Sequence, residues 1–206
     1  DAVTKLRLLI ALLVSTAAAG DVLAPSELAS HTPGSLAGNS LSQDPAISAD
    51  GRYVAFWSQA SDLAANDTNG NYDVFVSDTL MGAVELISVS PISGESGDGP
   101  STHPGISADG RYVCFQSATT NLVNPPSSGI FQIFVHDRLN GTNEVVSVSS
   151  GGAHANNTTE FSAISADGRY VAFASYADNL VPNDPFNGVR DLFLRDLLLD
   201  TTILVS

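Results

Sequence analysis

Apolar residues along this chain gather into short runs broken by turn residues. Ala46-Ile47-Ser48 leads into Asp50-Gly51, and Tyr53-Val54-Ala55-Phe56-Trp57 follows at once. An Asp-Gly pair between two strand-forming runs is a hairpin signal, so these residues predict a first and a second strand. Residues 59–72 form a long polar stretch. Asp73-Val74-Phe75-Val76 then predicts a third strand, and Val84–Val89 a fourth beyond the Met81-Gly82 turn. The second to fourth runs are apolar nearly throughout rather than alternating, which suits a sheet covered on both faces.

The pattern recurs. The string Ile-Ser-Ala-Asp-Gly-Arg-Tyr-Val begins at Ile47, Ile106 and Ile164, a period of 58 to 59 residues. Further on, Asp73–Asp78 aligns with Gln132–Asp137 and Asp191–Asp196. Self-similarity at such a period marks a repeat architecture. Four short antiparallel strands per unit, each sheet sandwiched between its neighbours, is the blade of a β-propeller. The expectation is an all-β fold with blades over 44–90, 103–149 and 161–206. Glu27-Leu28-Ala29-Ser30 has the spacing of a detached fourth strand, predicting an outer strand over 27–32 that would complete the last blade of a closed ring. Three blades fall short of the roughly four to eight that close a ring. The chain is therefore read as an incomplete ring, a piece of a longer propeller whose open blade edges would self-associate.

With its Ser-x-Asp-Gly turns at Ser48, Ser107 and Ser165, each followed by an apolar strand, the chain resembles the WD-like propeller repeats of the TolB-type group. The resemblance covers about residues 27–206. It differs from the sialidase Asp-box, because Gly51 follows Asp50 with no intervening residue. What the resemblance implies is a secreted or periplasmic propeller, in a family whose members differ widely in activity.

The first residues point the same way. Lys5 and Arg7 precede the apolar run Leu8–Val14, and Ala17-Ala18-Ala19 offers a small-residue cleavage site. Residues 1–19 thus read as a secretory signal peptide and 20–26 as a linker. The apolar run is too short for a spanning helix. The formal net charge is −14, with 22 acidic residues against 8 Lys and Arg. Such a surface repels nucleic-acid phosphates and anionic lipid, so neither is an expected partner. Cys114, the single cysteine, stands where the other repeats carry Ala55 and Ala172, and reads as a buried small side chain.

Candidate chemistry lies where the repeats differ. The loop Asp67-Thr68-Asn69-Gly70-Asn71-Tyr72-Asp73 sets Asp67, Asn69 and Asp73 around a glycine turn. Alternating oxygens of this kind either wrap a hard cation such as Ca²⁺ or are ordinary solvated turns. The third repeat keeps the pattern with Asp184, Asn187 and Asp191, whereas Asn124–Gln132 in the second has lost every carboxylate. Three residues before each repeated Ile stand Asp44, His103 and Phe161, which should ring the channel mouth. Variable residues on a repeating scaffold either read a ligand or are merely tolerated. Arg52 with Asp78, Arg111 with Asp137 and Arg169 with Asp196 recur in every repeat, which favours structural ion pairs.

No Gly-x-Ser-x-Gly, His-Glu-x-x-His, Cys-x-x-Cys or Gly-x-x-x-x-Gly-Lys signature is present. The expected function is an exported, noncatalytic module that binds a protein or glycan on its long-loop rim, with Ca²⁺ as the ion its loops would take. The alternative is the propeller part of an extracytoplasmic hydrolase. That would be either the gating propeller of a peptidase or a carboxylate-based glycosidase, for which Asp44 is the one carboxylate placed at the channel.

Overall fold

The computed structural model describes residues 29–34, 36–182, 184 and 188–206. The expected signal peptide, the linker and the start of the outer strand lie outside the described residues. Of that strand, Ala29 and Ser30 form a bend, and His31 makes a single antiparallel bridge to Ala37.

The described residues form three four-stranded antiparallel sheets and no helix. The first comprises β1 (Ser42–Ile47), β2 (Tyr53–Ser58), β3 (Asp73–Asp78) and β4 (Ala83–Leu86), in that order. β5 (Ser101–Ile106), β6 (Tyr112–Ser117), β7 (Gln132–Asp137) and β8 (Thr142–Val145) form the second. β9 (Thr159–Ile164), β10 (Tyr170–Ser175), β11 (Asp191–Asp196) and β12 (Thr201–Leu204) form the third. The leading strands β1, β5 and β9 lie side by side, so they are the inner strands of three propeller blades in an unclosed arc. All three expected blades are present.

Each apolar strand serves two cores. Val74 and Val76 face the second blade and pack with Val113, Phe115 and Phe134, while Phe75 between them turns to the opposite face, against Phe56 and Leu63. In the second blade Phe134 faces the first, and Ile133 and Val135 face the third with Phe173 and Phe193. Stacked Phe pairs recur at 5.8, 5.8 and 5.7 Å between centroids. On the third blade the far face has no neighbour among the described residues: Leu192 is 50 % exposed, where the equivalent Val74 and Ile133 are fully buried, and Ile203 on the next strand is 54 % exposed.

The repeated string builds its own turn and then joins the blades. Ser48 Oγ donates to Asp50 Oδ1 (2.6 Å) and accepts the Tyr53 N–H (2.9 Å), while Asp50 accepts the Arg52 N–H (3.0 Å). The same bonds recur around Asp109 and Asp167. These bonds hold all three carboxyls below their usual range. Arg52, Arg111 and Arg169 each meet their Asp partner at 2.7 Å, as the spacing predicts.

Across the joint, Ala49 N–H donates to Ala108 O and Ala108 N–H to Ala166 O, both at 2.9 Å. The turn glycine of each following blade lies flat on the tyrosine of the one before. A Cβ on Gly110 would sit 2.2 Å from the Tyr53 ring, and one on Gly168 2.3 Å from Tyr112. The joint between the first two blades is also bolted by Arg138. Its guanidinium stacks 4.4 Å from the Tyr53 centroid, pairs with Glu85 at 2.8 Å and donates to the Gly110 carbonyl at 2.7 Å.

Gly51 and Gly110 share a left-handed backbone, φ 76° and 74°, but only Gly110 is pressed on a ring. Gly51→Ala should therefore cost about 1 kcal/mol of stability for its backbone alone. Gly110→Ala should lose about 2–4 kcal/mol, because a clash with Tyr53 adds to the backbone term. Urea unfolding of the two variants checks the difference, and equal losses would contradict the joint.

Candidate functional site

Each inner strand carries a bulge at its channel-mouth end. Gln43 pairs with Trp57 and Ala46 with Ala55, so Asp44 and Pro45 together face one residue of β2. The same shift falls at His103-Pro104 and at Phe161-Ser162. The first residue of each bulge is left-handed: Asp44 at φ 50°, His103 at 53° and Phe161 at 49°. Asp visits this region readily, but a bulky Phe there is strained, by about 1–2 kcal/mol. Such strain concentrates where a side chain is being aimed at something.

The bulges bring together the three residues singled out in the sequence. His103 Nε2 lies 3.6 Å from Asp44 Oδ2, and the His103 ring meets Phe161 edge-on at 5.7 Å between centroids. Groups that the repeat comparison missed extend this line at both ends. Trp57 Nε1 donates to Asp44 Oδ2 (2.8 Å), and Tyr72 packs edge-on against Trp57 at 5.0 Å. At the other end Arg190 stacks 5.1 Å from the Phe161 centroid and pairs with Glu160 at 2.9 Å. A ladder Tyr72–Trp57–Asp44–His103–Phe161–Arg190 thus crosses all three blades, with Tyr72, Asp44, Phe161 and Arg190 exposed. Trp57 carried a usable signal, since the aligned positions are Gln116 and Ala174. Arg190 and Tyr72 carried none, because their contacts depend on how loops fold back.

The acidic loops lie apart from this ladder, and the first is buried. Asp73 is fully buried and Asp67 is 8 % exposed. The Asn69 N–H and the Ser96 hydroxyl near Asp67 favour its charged form, yet its Oδ1 has no hydrogen bond. Asp73 Oδ1 accepts the Ser88 hydroxyl at 2.5 Å, and Oδ2 has no hydrogen bond. The Asn69 amide is nearby and favours the charged form, but its own hydrogen bond runs to the Gly97 carbonyl at 2.6 Å. Burial pushes the Asp73 carboxyl up to about 7, with the neighbouring Asp67 charge adding to the rise. Burial raises Asp67 as well.

In the second blade Gln132 stands in place of Asp73. Its Oε1 accepts the Ser147 hydroxyl (2.5 Å), and its Nε2 donates to the Ala155 carbonyl (2.9 Å), so both ends are satisfied. In the third blade Asp184 Oδ2 is buried with no hydrogen-bond partner among the described residues, and desolvation raises its pKa, with the Asp191 and Asp178 charges adding to the rise. Asn187 lies outside the described residues. No group of three or more His, Cys, Asp or Glu side chains converges among the described residues. Cys114 is buried beneath Ser162, and its thiol is pushed up to about 11 by desolvation, so it is unreactive.

Three antiparallel four-stranded blades with their inner strands side by side define a β-propeller arc. Its fold is similar to that of solved propellers, a TolB among them, in line with the resemblance of the Ser-x-Asp-Gly repeats. It is similar to a protein described as TolB from Agrobacterium tumefaciens, with 20% identity and a TM-score of 0.50, over 80% of this chain and 48% of that one. It is similar also to the β-propeller domain of the trilobed protease from Pyrococcus furiosus, which has an open velcro topology. There the identity is 16% and the TM-score 0.50, over 80% of this chain and 41% of that one. The chain thus spans less than half the length of either structure. No family model matches the sequence, and no curated protein does.

Phe161 is 56 % exposed and left-handed, so it gives the fold little in return for its strain. Phe161→Gly should leave stability unchanged or raise it by up to about 1 kcal/mol in urea unfolding. A loss above about 2 kcal/mol would make Phe161 a packing residue, in the range of buried Phe truncations.

Proposed function

We propose that the chain is an exported, noncatalytic β-propeller module that binds a protein or glycan partner at its channel mouth. The observation that carries this reading is the ladder from Tyr72 to Arg190. A carboxylate, an imidazole and a phenyl ring are aimed by left-handed bulges on a repeating scaffold, with Trp57, Tyr72 and Arg190 packed beside them. Trp, Tyr and Arg are the residues that dominate binding energy at interfaces. The aromatic faces equally suit sugar rings, with Asp44, Glu160 and Arg190 to bond hydroxyls. Export is supported by the basic residues, apolar run and Ala17-Ala18-Ala19 at the start of the sequence. It is compatible with the described residues, none of which form a helix long and apolar enough to cross a membrane.

We further propose that Ca²⁺ occupies the loop at Asp67, Asn69 and Asp73. Two buried carboxylates with unpartnered oxygens and no cationic partner are costly unless a cation or a shared proton joins them. The loop of Asp184, Asn187 and Asp191 would form a second, more open site.

Two experiments test these readings. A peptide phage library and an immobilised glycan array are presented to the whole chain and to the His103→Ala/Phe161→Ser variant. Ligands that lose at least about tenfold in binding on the variant support the channel mouth, in line with loss of an interface hot spot. Ligands indifferent to the variant, or none at all, refute it. For the loop, calorimetric titration with CaCl₂ should give heat that Asp73→Gln abolishes. Changes at Ser127, in the second blade's loop, should leave that heat intact. Asp73→Gln should fold, since Gln132 shows the amide satisfied at the equivalent place. No heat at millimolar Ca²⁺ would leave the shared proton as the explanation.

A further inference from the structure

The joint between the first two blades stacks a guanidinium on its tyrosine ring, and the joint between the second and third has the equivalent tyrosine, carboxylate and glycine with no guanidinium from the aligned position. Around Arg138 the first joint supplies the Tyr53 ring at 4.4 Å, the Glu85 carboxylate at 2.8 Å and the Gly110 carbonyl at 2.7 Å. One repeat later the corresponding groups are Tyr112, Glu144 and Gly168, and the residue aligned with Arg138 is Leu197. Leucine cannot reach a carboxylate or offer a donor. The joint opens there into a cleft of about 410 Å³, lined by Tyr112, Glu144, Asp167, Gly168, Arg169 and Leu197.

The charges around the cleft leave one group unanswered. Asp137 is neutralised by Arg111 and Arg169 by Asp196, each pair at 2.7 Å, and Asp167 is bonded within its own turn. The first joint has the same arrangement, with Arg111 neutralised beside the stacked Arg138. The Glu144 carboxylate differs from that of Glu85 in having no hydrogen bond or ion pair among the described residues. Burial in the cleft raises its pKa, and Arg195, the cation whose field reaches it, is itself paired with Asp200 at 2.9 Å. Tyr112 likewise carries only its own Arg111, at 4.6 Å, where Tyr53 carries both Arg52 and Arg138.

We propose that this cleft binds a guanidinium group presented by another molecule, either the arginine side chain of a peptide or a small guanidino compound. Tyr112 would be the stacking face, Glu144 the counter-ion and the Gly168 carbonyl a further acceptor. A planar, forked cation is specified over an ammonium because a ring face and in-plane acceptors are offered together. The acidic protein as a whole draws cations to the cleft. It opens among the Asp-Gly turns, at the opposite end of the blades from the ladder at the channel mouth, so the two sites stand or fall separately.

The whole chain is titrated by calorimetry with methylguanidinium chloride and with acetyl-Gly-Arg-Gly-amide, using methylammonium chloride at equal ionic strength as the control. Saturable binding of the guanidinium probes, with methylammonium weaker by at least about tenfold, is expected. Tighter binding of the peptide assigns the source to a peptide, and equal affinities assign it to a small guanidino compound. Leu197→Arg should fill the cleft as Arg138 fills the first joint, abolishing binding while raising the thermal midpoint. Glu144→Gln should weaken binding by at least about tenfold with the midpoint unchanged, which carries the test even if Leu197→Arg does not fold. Absence of saturable heat in the wild type, equal binding of methylammonium, or undiminished binding in Glu144→Gln would overturn the proposal.

Discussion

The seating of a glycine on a tyrosine ring sets the spacing of everything else in this propeller. Gly110 on Tyr53 and Gly168 on Tyr112 let neighbouring sheets approach until both faces of the central strands are dry. Apolar runs such as Ile133–Val135 make sense only at that separation, because a strand with apolar side chains on both faces has no solvent side. The aromatic ring also draws in the guanidinium groups of Arg52 and Arg138. One small contact thereby couples turn geometry, sheet stacking and the placement of charge between blades.

How much of this could be read in advance depends on where each contact lies along the chain. Strands, turns and the Arg–Asp pairs are set by neighbours within one repeat, and three copies of the same string made them plain. The unusual status of Asp44, His103 and Phe161 was also visible, since they vary on an otherwise repeating frame. Their left-handed backbone was not, because nothing in the residue types demands it of a phenylalanine. The contacts of Trp57 with Asp44 and of Arg138 with Glu85 are hidden for another reason. Asp44 is turned toward Trp57 by a bulge on its own strand, and Arg138 meets its partner Glu85 across a neighbouring blade.

Comparison between blades does the work that comparison between proteins does elsewhere. Gln132 shows what a satisfied side chain looks like at the place where Asp73 leaves an oxygen without a partner. Arg138 shows what a filled joint looks like where Leu197 leaves a cleft. In each case the strand framework is repeated while the side chains at one place differ. The structure carries its own internal controls, and the departures from its symmetry mark the places where chemistry is free to act.

The bulges at the channel mouth have a consequence for how such a molecule can change. On either side of each bulge the strand pairing resumes in register, from Ala46 opposite Ala55 in the first blade to Ala163 opposite Ala172 in the third. The bulged residue is therefore insulated from the ladder that carries it. Acid, imidazole and phenyl groups occupy these sockets at nearly the same backbone angle. A new specificity can be written there one residue at a time, without the scaffold registering the edit.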